Sequence, residues 1–201
     1  MILVEPQYLP SVNYFKNIGK GEILFDVNSD YVNQYAVNKT RISNDMKSFD
    51  IKVPIINDKK SCKLKDLKID NTKNWINSHI QSIQSSYGRY PYFLFYNDEI
   101  INVIKRRHNY LIDLNYDLLT HLLKILNYDY KIKIIEDDNS EIIYLRSKKI
   151  ELSNNQANDI NLIRDDFFLG KNFDYKFSVI DLLFLRGPES GFLIRNFKKN
   201  I

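Results

Sequence analysis

The first 27 residues, MILVEPQYLPSVNYFKNIGKGEILFDV, decide the fold class. Residues 1–7 read as a buried strand and 10–20 as a short helix, with Pro10 in its first turn and Gly19 or Gly21 at its exit. Residues 22–27 read as a second strand. Strand, short helix, strand at this spacing is a βαβ unit, which pairs its strands in parallel through a right-handed crossover. The carboxyl end of the first strand, Glu5-Pro6-Gln7-Tyr8-Leu9-Pro10, is where open α/β sheets place ligands. Two prolines stiffen this segment, and Gln7 and Tyr8 give it polar ends. A plain strand-to-helix turn accounts for the same residues equally well.

Outward from that unit, residues 31–42 and 48–56 predict two strands joined around Asn44-Asp45. Phe49, Ile51 and Val53 alternate with Asp50 and Lys52, so one face is buried and the other wet. A shorter strand follows at 66–70. Helical spacing of Ile76, Ile80, Ile83 and Tyr87 predicts a helix over 72–87, with Trp75 and His79 beside the stripe. Residues 97–127 carry a second apolar stripe on which Asn115 intrudes. That stretch is long for one globular helix, so a break near Asn109 is expected. Residues 130–135 and 141–147 read as a hairpin across Asp137-Asp138-Asn139-Ser140, and 150–175 show no pattern. Ser178 and Asp181 suggest a variant capping box opening a helix from Val179 to Leu185, which Gly187-Pro188 ends. The expected fold is α/β: one mixed domain over 1–201, with a short N-terminal parallel βαβ unit, an antiparallel hairpin extension and a helical middle section.

Composition narrows the class. A chain of 201 residues, 44% hydrophobic and 13% aromatic, is globular and not disordered. No apolar run reaches the roughly 18 residues a membrane span needs. The N-terminus lacks the basic region of a signal peptide, and the single Cys62 forms no internal disulfide, so a cytoplasmic protein is expected. The net charge of +4 is mild, with 29 basic and 25 acidic side chains. Basic runs at 59–68, 105–107 and 195–199 read as solvated faces, which ranks nucleic acid last among partners. A tRNA carrying a donor group stays open, and the sequence sets no oligomeric state.

Candidate chemistry is sparse. There is no Gly-rich phosphate loop, no zinc spacing and no H-E-x-x-H, so neither cofactor nor metal is expected. Asp113, Asp117 and His121 share a helix face, but three ligands along it span about 12 Å and cannot share one ion. The serine of Gly187-Pro188-Glu189-Ser190-Gly191 sits one position late for a nucleophile elbow. An imidazole at His79, beside the only tryptophan, is expected in low dielectric with a depressed pKa, the state a general base needs near neutrality. A core histidine bonded to a backbone carbonyl explains it as well. Asn38 and Arg41, three apart on a strand, face opposite ways.

In this order the segments resemble the WbqC-like family, found with surface-polysaccharide and O-antigen genes. Pro6-Gln7-Tyr8-Leu9-Pro10 with Tyr14-Phe15 and Ile18 is similar to its opening pattern, and Asn38-Lys39-Thr40-Arg41-Ile42 to its second. Trp75, His79, Tyr87, Pro91 and Phe93, followed by Asp113-Leu114-Asn115, resemble its third, and Ile180 through Phe184 with Gly187 to Ser190 its closing one. Many members carry histidine ahead of the opening pattern, where this chain has Val4-Glu5. The resemblance implies an α/β protein acting on, or holding, an activated sugar or a group to be placed on it. The leading expectation is a cytoplasmic transferase that adds an acyl or aminoacyl group to an activated amino sugar. His79 would be the catalytic base, and Asn38 and Arg41 would orient an anionic or carbonyl oxygen. Gln7, Tyr8, Trp75 and Asn115 would bind substrate, and Asp181, Glu189 and Ser190 would close the rim. The alternative is a non-catalytic sugar- or nucleotide-binding scaffold of the same pathway.

Overall fold

Three apolar residues in a row make β1 (Ile2–Val4), which pairs in parallel with β2 (Gly21–Asp26) in the register Ile2↔Ile23, Leu3↔Leu24, Val4↔Phe25. The computed structural model describes residues 2–18, 21–31, 37–43, 48–56, 62–136 and 177–196. β1 is shorter than residues 1–7 because Pro6 has no N–H to give a ladder. Between the strands, α1 (Val12–Ile18) buries Val12, Phe15 and Ile18, one face of a helical period.

The far side of β2 is taken by β5 (Tyr130–Ile135), also parallel, from Gly21↔Tyr130 to Asp26↔Ile135. The sheet order is therefore β1-β2-β5. The first arm of the hairpin expected over 130–147 is thus a strand with β2 on one edge. Residues 141–147 lie outside the described residues. Alternating Lys131, Ile132, Lys133 and Ile134 specify a half-buried strand without specifying its partner. Leu3, Leu24 and Ile135 pack on one face of the sheet, while Val4, Ile23 and Phe25 enter the main core on the other.

A separate two-stranded antiparallel hairpin, β3 (Lys39–Ser43) and β4 (Ser48–Lys52), pairs Thr40 with Ile51 and Ile42 with Phe49. Both strands are shorter than expected, and residues 32–36 lie outside the described residues. The strand expected at 66–70 is instead a 3-10 turn over Leu64–Asp66 followed by single bridges, Ile55 to Ile69 and Lys68 to Tyr110.

The helical middle is α2 (Trp75–Tyr87), α3 (Phe93–Lys105) and α4 (Leu111–Ile125). The break between the last two falls where expected and turns through Arg107 at φ 56°. Asp117 on α4 is held by Arg106 at 2.7 Å and His108 at 2.9 Å, whereas Asp113 is exposed. α5 (Val179–Arg186) and α6 (Ser190–Asn196) complete the described chain. Gly187 joins them at φ 53°, where the Tyr92 ring occupies the space of any Cβ. The capping box does not form: Ser178 holds the N-cap position of α5 without a side-chain cap bond. No helix among the described residues is long and apolar enough to cross a membrane.

Candidate functional site

The segment after β1 does not relax into an ordinary turn. Leu9 adopts φ 43°, a left-handed conformation that costs a branched residue about 1–2 kcal/mol, and it is fully buried. Two hydroxyls fix its carbonyl: Thr40 Oγ1 donates at 2.8 Å and Ser178 Oγ at 3.0 Å. The Val179 amide donates to the Pro10 carbonyl at 2.8 Å, and the Ser178 amide to the Arg41 carbonyl at 2.9 Å. The turn is therefore tied to β3 and to the start of α5 at once. Strain of this kind persists only where the surroundings over-determine it, and it collects at functional sites.

The preceding residue ties in α2. The Tyr8 hydroxyl lies 2.9 Å from His79 Nδ1, and the rings pack at 5.5 Å between centroids. Trp75 meets His79 edge-on at 5.2 Å and donates its indole N–H to Asn71 Oδ1 at 3.3 Å. His79 also bonds to the Lys52 backbone, a contact that favours the protonated ring. A carbonyl has no proton to give, so the ring donates to Lys52, and Nδ1 is left to accept from Tyr8. Burial pushes the imidazole pKa from 6.5 down to about 4, with the Lys52 contact opposing it. Burial likewise raises the Tyr8 hydroxyl beyond its ordinary range. Both polar groups are neutral at pH 7, and each satisfies the other.

One turn into α5, Asp181 makes a second polar node. Its Oδ2 accepts from Ser43 Oγ at 2.8 Å and from the Tyr87 hydroxyl at 3.2 Å, while the Ser43 amide donates back to the Tyr87 oxygen at 3.2 Å. His79, Ile83 and Tyr87 follow one another at helical spacing, so the inner face of α2 links the two nodes over about 12 Å.

The remaining expected site residues fall in three places. Gln7 is half-buried beside the clamped turn and has no polar partner among the described residues. Asn38 and Asn115 are fully buried and tie backbone together: Asn38 donates to the Val53 carbonyl at 3.0 Å and Asn115 to the Val37 carbonyl at 2.8 Å. Arg41 is exposed and pairs with Asp50 at 2.8 Å, Glu189 is exposed, and Ser190 donates to the Leu182 carbonyl at 3.1 Å. Tyr8, Trp75 and His79 are thus brought together by contact. Asp181 joins them through the clamp, and the side chains of Arg41, Glu189 and Ser190 do not. Thr40 and Ser43 join the site without a sequence signal, because a hydroxyl on a strand carries no periodicity. Only their buried acceptors reveal them.

Against known proteins, the family model described as WbqC-like protein family matches residues 5–160. The match takes in the clamped turn, the β3–β4 hairpin and α2, and ends before α5. No curated protein and no solved structure matches the chain.

Proposed function

The chain belongs to the WbqC-like protein family, and on that premise we propose a cytoplasmic transferase of surface-polysaccharide biosynthesis, adding an acyl or aminoacyl group to an activated amino sugar. One observation supports this reading above the others. The strained turn at the carboxyl end of β1 is held from β3, α2 and α5 simultaneously, and it presents the one polar side chain beside it that lacks a partner among the described residues, Gln7. A primary amide both donates and accepts, which suits the hydroxyl and acetamido groups of an amino sugar. In this reading Tyr8 and Trp75 form the wall behind Gln7. His79 positions Tyr8; it does not take the substrate's proton, since Nδ1 is engaged and a pKa of about 4 leaves it a weak base.

Thermal shift of the full chain with UDP-N-acetylglucosamine tests the site. At about 100 times Kd a ligand of the native state adds about 2.7 kcal/mol, or about 5–10 °C for a protein of this size. Gln7→Ala should keep the parent melting temperature and lose the shift. An unshifted parent, or a Gln7→Ala protein that shifts in full, counts against it. The closed Tyr8–His79 pair favours a second reading, a non-catalytic binder of the same pathway. The two part on turnover with UDP-glucosamine, whose amine is free: the transferase acetylates that amine from acetyl-CoA and releases coenzyme A, whereas a binder shifts with the nucleotide sugar and forms no amide.

A further inference from the structure

We propose that Ser43 and Asp181 form the nucleophile–base pair that carries the acyl group during transfer; this deepens, and rests on, the acyl-transfer reading above. A hydroxyl nucleophile needs a base within hydrogen-bond reach, and the base needs a third group to orient it. All three are present. Ser43 Oγ lies 2.8 Å from Asp181 Oδ2, and the Tyr87 hydroxyl, 3.2 Å from the same oxygen, holds the carboxylate from behind. Exposure orders the cluster from outside inwards: Ser43 is 8% exposed, Asp181 4% and Tyr87 0%. Ser43, at the end of β3, is the most exposed of three buried residues, and Tyr87 the least. Asp181 sits in the first turn of α5, whose N-terminal dipole favours the carboxylate form a base requires.

The chemistry balances without a further reactant. Ser43 Oγ attacks the carbonyl carbon of an acyl thioester or aminoacyl ester, and its proton passes to Asp181. The tetrahedral adduct collapses, the C–S or C–O bond of the donor breaks, and the leaving group takes the proton from Asp181. The amine of the sugar then attacks the acyl-Ser43 ester. Its proton goes to Asp181 and on to Ser43 Oγ as that oxygen departs, which leaves an amide product and the original pair. Tyr87 moves no proton. It is a positioning residue.

The full chain is incubated with p-nitrophenyl acetate, quenched in acid and digested, and its peptides are weighed. The proposal expects one acetyl group on the peptide containing Ser43, absent from Ser43→Ala. It also expects acetylation about 10²-fold or more slower in Asp181→Asn, within the usual contribution of acid–base catalysis. Tyr87→Phe should slow acetylation less and shift its pH profile, which loss of packing alone would not do. Should Asp181→Asn fail to fold, Ser43→Ala carries the test, because it removes only a hydroxyl. No acetyl on Ser43, or equal acetylation at other residues in Ser43→Ala, overturns the pair. If UDP-N-acetylglucosamine still raises the melting temperature in that case, the sugar-binding reading stands and the covalent route alone falls. If it does not, both fall.

Discussion

His79→Gln should remove most of the acid sensitivity of folding between pH 6.5 and pH 4. In the native protein the imidazole is 5% exposed and titrates at about 4, against 6.5 when free. Within that window the unfolded chain holds a proton that the native one refuses, so stability falls as pH falls through it. Above 6.5 the ring is neutral in both states and has no effect; below 4 both are protonated and the loss is complete. A gap from 6.5 to about 4 corresponds to about 3 kcal/mol. Glutamine has an amide to donate toward Lys52 and an oxygen to accept from Tyr8, yet it does not titrate. Urea unfolding followed by the fluorescence of Trp75, the sole tryptophan, reads the effect directly. With a urea dependence of about 1–3 kcal/mol per molar, the parent midpoint should fall between about 1 and 3 M more than that of His79→Gln from pH 7 to pH 4. Other titrating groups cancel in that difference. Parallel midpoints for the two proteins, or a ring that titrates near 6.5 by NMR, would refute the buried neutral pair.

Trp75→Ala should cost about 3–5 kcal/mol, since its ring is buried against His79; circular dichroism must follow unfolding because the fluorophore is gone. Gly191→Ala should fold poorly, because the added methyl meets the Leu126 carbonyl oxygen, which is backbone at the end of α4 and cannot step aside; a melting temperature within about 2 °C of the parent would contradict that contact. Tyr128→Phe should be neutral or stabilising by up to about 1 kcal/mol, because the buried hydroxyl it removes has no hydrogen-bond partner among the described residues. A clear loss of stability by urea titration would mean that this hydroxyl has a partner after all.

The βαβ opening was legible because local signals agree there: an apolar triplet, a proline-led helix and a second strand lie within 27 residues. The stripes of α2, α3 and α4 were legible for the same reason, and the αL turn at Arg107 explains why the long stretch breaks. The partner of β5 was not legible. Its pairing with β2 joins residues more than a hundred positions apart, and alternation records burial but not direction. At the site, Trp75 and His79 were visible as an aromatic and an imidazole one turn apart. The geometry gives that pair the core-histidine bonds that stood as its alternative. Thr40, Ser43 and the hydroxyl of Ser178 were invisible in these roles, since their acceptors lie on segments distant in sequence. The capping pattern at Ser178 and Asp181 misled for a physical reason: Ser178 is spent on Leu9 and Asp181 on Ser43.

The most direct test is an amide and side-chain NMR titration of the full chain with UDP-N-acetylglucosamine. If the clamped turn is the binding site, the Gln7 side-chain amide and the backbone signals of Tyr8, Leu9 and Thr40 move together and saturate at one ligand concentration. Signals that stay still at the turn while others move, for example around the exposed Leu94 and Phe95 of α3, would place the ligand elsewhere and contradict the assignment.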